Sequence, residues 1–120
     1  MKIVQSTFLF LLISQLHADK ISALLFHGNC TTCHFELQEK SAPSMIEVRQ
    51  RYLNAFPRKK EFVKYMSQWV KNPSQENSIM QDAIAKHKLM PQLAFDKETL
   101  KEISSYIYDI DFTKLHNEHK

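Results

Sequence analysis

Glycine is almost missing from this chain, with one residue, Gly28, in 120. A phosphate-cradling loop needs several glycines, so that class of nucleotide site is excluded. Runs of alternating β-branched residues are absent too, which argues against a sheet and leaves helix as the dominant element. No catalytic triad and no paired carboxylates stand out, so nothing points to hydrolytic chemistry. The basic excess is small, 16 Lys and Arg against 13 Asp and Glu for a net charge of +3, well short of what a nucleic-acid binder carries. Cysteine is scarce as well: there are two, Cys30 and Cys33.

The longest apolar run lies at the start. Lys2 supplies a positive end, Ile3 to Leu16 is mostly apolar around Phe8-Leu9-Phe10-Leu11-Leu12-Ile13, and Leu16-His17-Ala18 ends on a small residue. This is the layout of a secretory signal peptide over residues 1–18, with cleavage expected after Ala18 and the periplasm as destination. A retained membrane anchor is the alternative. The run is shorter than the roughly 20 apolar residues a bilayer span needs, and Gln5 and Ser6 interrupt it. Taking 18 residues from 120 leaves 102, enough for one small domain, with 15 basic and 13 acidic side chains and a net charge of +2. A domain expected over 19–112 would be followed by a polar tail, 113–120. So short a chain buries a modest core, and an apolar group built into it would add much of what is missing.

Both cysteines belong to one pentapeptide, Cys30-Thr31-Thr32-Cys33-His34. Cys-x-x-Cys-His is the attachment sequence for c-type haem. Two thiols add across the vinyl groups to give thioethers, and the imidazole that follows ligates the iron from below. Three other readings compete. Structural zinc wants four nitrogen or sulfur ligands where this motif supplies three. A thioredoxin-like pair would follow a strand in a strand-and-helix alternation, which is not seen. A plain disulfide in an exported protein leaves His34 unexplained.

Periodicity predicts helices along the rest of the chain. Asp19 is placed to cap a first helix with Ile21, Leu24 and Leu25 on one face, and Gly28 to end it. Pro43 suits the first turn of a second helix, capped by Ser41 or Ala42, that carries Met45, Ile46, Val48 and Leu53. After Pro57 a third reads Phe62, Val63, Met66, Trp69, Val70 and stops at Asn72-Pro73. Ser74 is expected to cap a fourth, with Ile79, Met80, Ala83 and Ile84 inward, that fades by His87. A loop follows from Lys88 to Phe95. Asp96 then caps a last helix with Leu100, Ile103 and Ile107 on one side and Tyr106 beside them.

One bound histidine leaves the opposite face of an iron open. Met45, Met66 and Met80 fall on helix stripes and read as core. Met90 lies outside the pattern and precedes Pro91, whose fixed φ and missing amide hold the backbone extended. It is 56 positions from His34, room for the chain to wrap round to the other side. Met90 is the expected second axial ligand, and His and Met ligation raises a reduction potential relative to two histidines. His87 is the runner-up. His27, His116 and His119 read as surface residues.

Phe26 four places before Cys30, the Cys30 to His34 motif, Lys88-Leu89-Met90-Pro91, and Leu100 to Tyr108 with its Ser-Tyr-Ile-Tyr ending together resemble the small class I cytochromes c over most of residues 19–110. The resemblance implies an all-α fold of four to five helices around one covalent haem c. It also implies a crossing of first and last helices through Leu24, Leu25, Tyr106 and Ile107, with His34 and Met90 axial and electron transfer as the activity. Two departures stand out. Ser22 and Phe35 occupy places where the family has glycine, and Glu36 to Arg58 reads as an added helix rather than an open loop. Trp69 and Tyr65 are candidate donors to a haem propionate, and Lys86, Lys88, Lys97 and Lys101 a candidate basic rim.

The function expected on these grounds is that of a monomeric periplasmic electron carrier. It would dock transiently with a quinol-oxidising complex and with a terminal oxidase, peroxidase or reductase, and would need no nucleic acid and no membrane span of its own. Two rival expectations are a haem-bearing subunit of an oxidoreductase and a five-coordinate gas-binding haem protein.

Overall fold

A computed structural model describes residues 19–115, which are helical or irregular with no strand. Residues 1–18, where a signal peptide is expected, and His116 and His119 lie outside these residues. Helix α1 covers residues 19–29 of the described chain. After it come α2 (Met45–Ala55), α3 (Lys59–Lys71), α4 (Gln81–His87), α5 (Lys97–Asp109) and the short α6 (Phe112–Leu115).

Helices α3 and α5 start and stop where their sequence signals stand. Pro57 ends α2, because the residue before a proline is pushed out of helical space, and Asn72 caps α3 ahead of Pro73. Asp96 accepts a bond from the Thr99 N–H at 2.9 Å and opens α5. Phe62, Met66 and Ser67 of α3 are buried, as are Leu100, Ile103, Ser104 and Ile107 of α5. The two helices form the central packed pair. Small side chains sit among the large ones here, and the hydroxyls of Ser67 and Ser104 are spent on carbonyls of their own helices, Lys64 and Leu100. The core they anchor takes in Phe26, Met45, Tyr52 and Phe112.

Several local expectations give way. Asp19 already lies in α1, so it is not the cap. Gly28 is helical, its φ is not positive, and open space surrounds the place of a Cβ, so it ends nothing. The buried side of α1 is Ser22 and Phe26, one turn apart, while Ile21 is exposed and Leu24 stands 73% exposed. The contact with the later helices therefore runs through Phe26, whose ring lies 5.4 Å from Tyr106 of α5 and 5.5 Å from Phe112 of α6, and Leu25 packs on the same core as expected while Leu24 does not. Ser22 is buried where a small residue was anticipated.

Pro43 precedes the cap of α2 instead of entering its first turn. Ser44 is the cap, accepting from the Glu47 N–H at 3.3 Å. The amides of Met45 and Ile46 donate to the carbonyls of Phe35 and Glu36 at 2.9 and 3.0 Å. Backbone folded back from the motif thus satisfies donors that a helix start leaves open. Residues 36–44 are irregular, so the added helix occupies only the later part of the stretch from Glu36 to Arg58. Ser74 caps no helix: its hydroxyl accepts from the Asn77 N–H in a turn, α4 begins only at Gln81 after the cap residue Met80, and Ile79 is exposed. The expected tail from Thr113 opens within α6, where Leu115 packs on the core beside Phe112.

Candidate functional site

A cavity of about 200 Å³ opens between α2, α3, α4, α5 and the loops, and Cys30, Cys33, His34 and Met90 all line it. A single water needs only roughly 10–15 Å³ on such a measure, so this is no packing flaw. The walls are mainly apolar, with Met45, Val48, Val70, Ile84, Leu100 and Ile107 among them, and no aspartate or glutamate of the described residues contributes. The pentapeptide and Met90, 56 positions beyond His34, are thus delivered to one apolar space.

The pentapeptide is held by the end of α1. The Cys30 N–H donates to the Phe26 carbonyl at 2.8 Å and the His34 N–H to the Cys30 carbonyl at 2.9 Å. Cys30 packs against the core and burial pushes its thiol up to about 11, whereas Cys33 is exposed. His34 Nδ1 lies 2.8 Å from the carbonyl of Pro43. A carbonyl only accepts, so Nδ1 carries the proton and Nε2 keeps a free lone pair. Burial holds the imidazole below its ordinary range, with the nearby His87 adding to this and the Pro43 bond opposing it. His34 is accordingly a neutral base with one nitrogen to offer, which is the form a metal ligand takes. The role of Pro43 lies in its carbonyl, and nothing in residue spacing discloses it.

Met90 is brought in by a loop tied at two points to the end of α3. Gln92 donates its amide to the Lys71 carbonyl at 3.1 Å and to Asn72 Oδ1 at 3.3 Å, while the Lys71 ammonium donates to the Phe95 carbonyl. The loop leaves α4 through Lys88, which sits at φ 74°, ψ 171°, a backbone region that only glycine enters freely. Met45, Met66 and Met80 are buried as expected, and all three also line the cavity; Met80 does so from the cap of α4 rather than from its stripe.

Other candidates move. The Trp69 indole N–H donates to the Ser74 carbonyl at 3.0 Å and is spent there, although the ring lines the cavity. Tyr65 stacks on Phe56 at 4.3 Å, 43% exposed and away from the cavity. The tyrosine at the wall is Tyr52, 6% exposed, its hydroxyl pushed up to about 12 by burial and bonded to no described residue. Its place on one face of α2 with Met45 and Val48, at positions i, i+3 and i+7, was the available signal. Of the four lysines, Lys88 lines the cavity and Lys86 pairs with Glu39 at 2.7 Å. Lys97 and Lys101 instead border a separate concavity with Lys59, Lys60 and Lys64, so the basic rim is divided. His27 is a surface residue, 3.3 Å from Glu36 and 3.4 Å from the Tyr106 hydroxyl. His87 is not one: its side chain is 10% exposed at the cavity wall.

Comparison of the chain with protein families, with curated proteins and with solved structures finds no match.

Proposed function

We propose that this chain is an exported one-haem c-type cytochrome that passes single electrons between protein partners in the periplasm. The observation that carries the reading is the arrival of Cys30, Cys33, a proton-oriented His34 and Met90 at one apolar cavity to which no carboxylate of the described residues contributes. The donor set fits the group. Cys30 and Cys33 would hold haem c through thioethers, and His34 Nε2 and the Met90 sulfur would be the ligands to its iron. When bound, haem c supplies an iron that alternates between ferrous and ferric.

The protein's part follows from the residues. Pro43 fixes the His34 tautomer and the ring's orientation, which also raises the basicity of Nε2. The aliphatic and methionine walls keep water away, so a change of charge inside is felt strongly and the potential is set by the ligands and by burial. The Tyr52 hydroxyl is free to donate to an acidic substituent at the inner end of the cavity. His34 and Met90 together would occupy both positions the protein leaves at the iron, which favours a carrier over an enzyme or gas sensor. Partners would be a quinol-oxidising complex and a terminal oxidase, peroxidase or reductase. Phe35, Leu37, Ile79 and Leu89 are exposed apolar residues and favour a second reading, a subunit seated on a catalytic partner; gel filtration of the purified protein separates free carrier from complex.

The test is export in a bacterial host equipped for haem attachment. The expected product is red, heavier by one haem, and keeps its colour after denaturation, while Cys30→Ser/Cys33→Ser does not. A colourless protein with two titratable thiols overturns the proposal.

A further inference from the structure

Two side chains able to ligate iron lie three positions apart at the end of α4, His87 and Met90, and both line the cavity. One coordination position admits one of them. Imidazole is the stronger ligand class for ferric iron, so something must hold His87 off. His87 is already engaged: a carboxylate only accepts, so its Nε2 donates to a carboxylate oxygen of Glu39, 48 residues away in sequence. While that bond stands, Nε2 carries a proton and has no lone pair to give. Glu39 is fixed in turn by the Lys86 ammonium at 2.7 Å. Beyond His87 the chain turns through the strained backbone of Lys88, and that turn carries Met90 to the cavity.

We infer that Glu39 is a positioning residue that latches His87 away from the metal and so assigns the sixth coordination position to Met90. This rests on the haem reading above. Glu39 lies on the irregular segment after His34, so the loop that carries Pro43 to one axial ligand also decides the identity of the other.

The test uses the haem-bearing protein and three variants, Glu39→Ala, Glu39→Gln and Glu39→Ala/His87→Phe, read by the weak sulfur-to-iron absorption of the oxidised state and by the midpoint potential. Glu39 is a partly exposed loop side chain, so its replacement leaves the core intact. Glu39→Ala is expected to lose the sulfur-to-iron absorption and shift to lower potential, as two histidines dictate. Glu39→Gln keeps an acceptor oxygen and stays close to wild type, and the double variant regains both signals. A Glu39→Ala protein with the wild-type spectrum and potential overturns the latch, as does a loss that His87→Phe fails to reverse. Wild-type protein that takes up haem but lacks the sulfur-to-iron absorption overturns the Met90 assignment and the latch together, which distinguishes that failure from one confined to Glu39.

Discussion

At the scale of single residues the site depends on which lone pairs are left available. His34 has one because its other nitrogen keeps the proton and donates it in a hydrogen bond to the Pro43 carbonyl. Met90 offers a thioether at the cavity, as do Met45, Met66 and Met80, but Met90 alone of the four comes from a loop, and Met80 is buried at the cap of α4. Met90→Ala is therefore expected to lose the low-spin spectrum of the haem-bearing protein and Met80→Ala to keep it; the reverse result would move the ligand to the cap of α4. The cysteines differ in a similar way. With its thiol pushed up to about 11 from an ordinary 9.0, Cys30 holds roughly a hundredfold less thiolate at neutral pH than an unperturbed thiol. In protein made without haem, iodoacetamide should modify Cys33 well ahead of Cys30, as peptide mass spectrometry would show. Equal rates would mean that Cys30 is not packed against the core.

At the scale of elements, the helices are held in register by a few long side chains. Arg49 of α2 donates from Nε to the Ile107 carbonyl and from a terminal guanidinium nitrogen to the Tyr108 carbonyl, both at 2.9 Å, covering carbonyls that the end of α5 leaves without partners. Arg49→Met keeps the length and loses both bonds. It should cost about 2 kcal/mol, seen as a lower denaturant midpoint with unchanged slope. Arg51 makes the other link, with two bonds of 2.6 Å to Asp82 at the start of α4. How far such elements can be read in advance depends on the range of their causes. The spans of α3 and α5 were legible because an apolar stripe, Pro57, Asn72-Pro73 and Asp96 all act within a turn or two. The start of α4 was not, since Ser74 bonding the amide three residues on looks the same in a turn as at a helix cap. That Cys30, Cys33 and His34 stand together was legible because they share one pentapeptide, and that Met90 leaves the helical pattern because Pro91 follows it. Glu39 and the Pro43 carbonyl were hidden, because each acts across a tertiary contact that leaves no period in the chain.

At the scale of the whole molecule, the helices close on one another at the Phe26, Phe62, Phe112 end and part around the cavity at the other. Four helices turn apolar side chains toward that space, so the fold's stability is tied to what fills it. A cavity of about 200 Å³, at about 24 cal/mol per Å³, corresponds to roughly 5 kcal/mol. That is a large share of the 5–15 kcal/mol a small domain has to lose. Cys30→Ala/Cys33→Ala, which cannot hold the group covalently, should therefore unfold about 20 °C or more below the haem-bearing protein. Far-ultraviolet circular dichroism should still report helix, because α3 and α5 pack on each other without lining the cavity at every turn. The near-ultraviolet signals of Trp69 and Tyr52 should weaken, and a hydrophobic dye should bind the opened walls. A double variant that melts with the haem-bearing protein, shows sharp aromatic bands and excludes the dye would mean that the helices close without help. The cavity would then be a property of the fold rather than the seat of a prosthetic group.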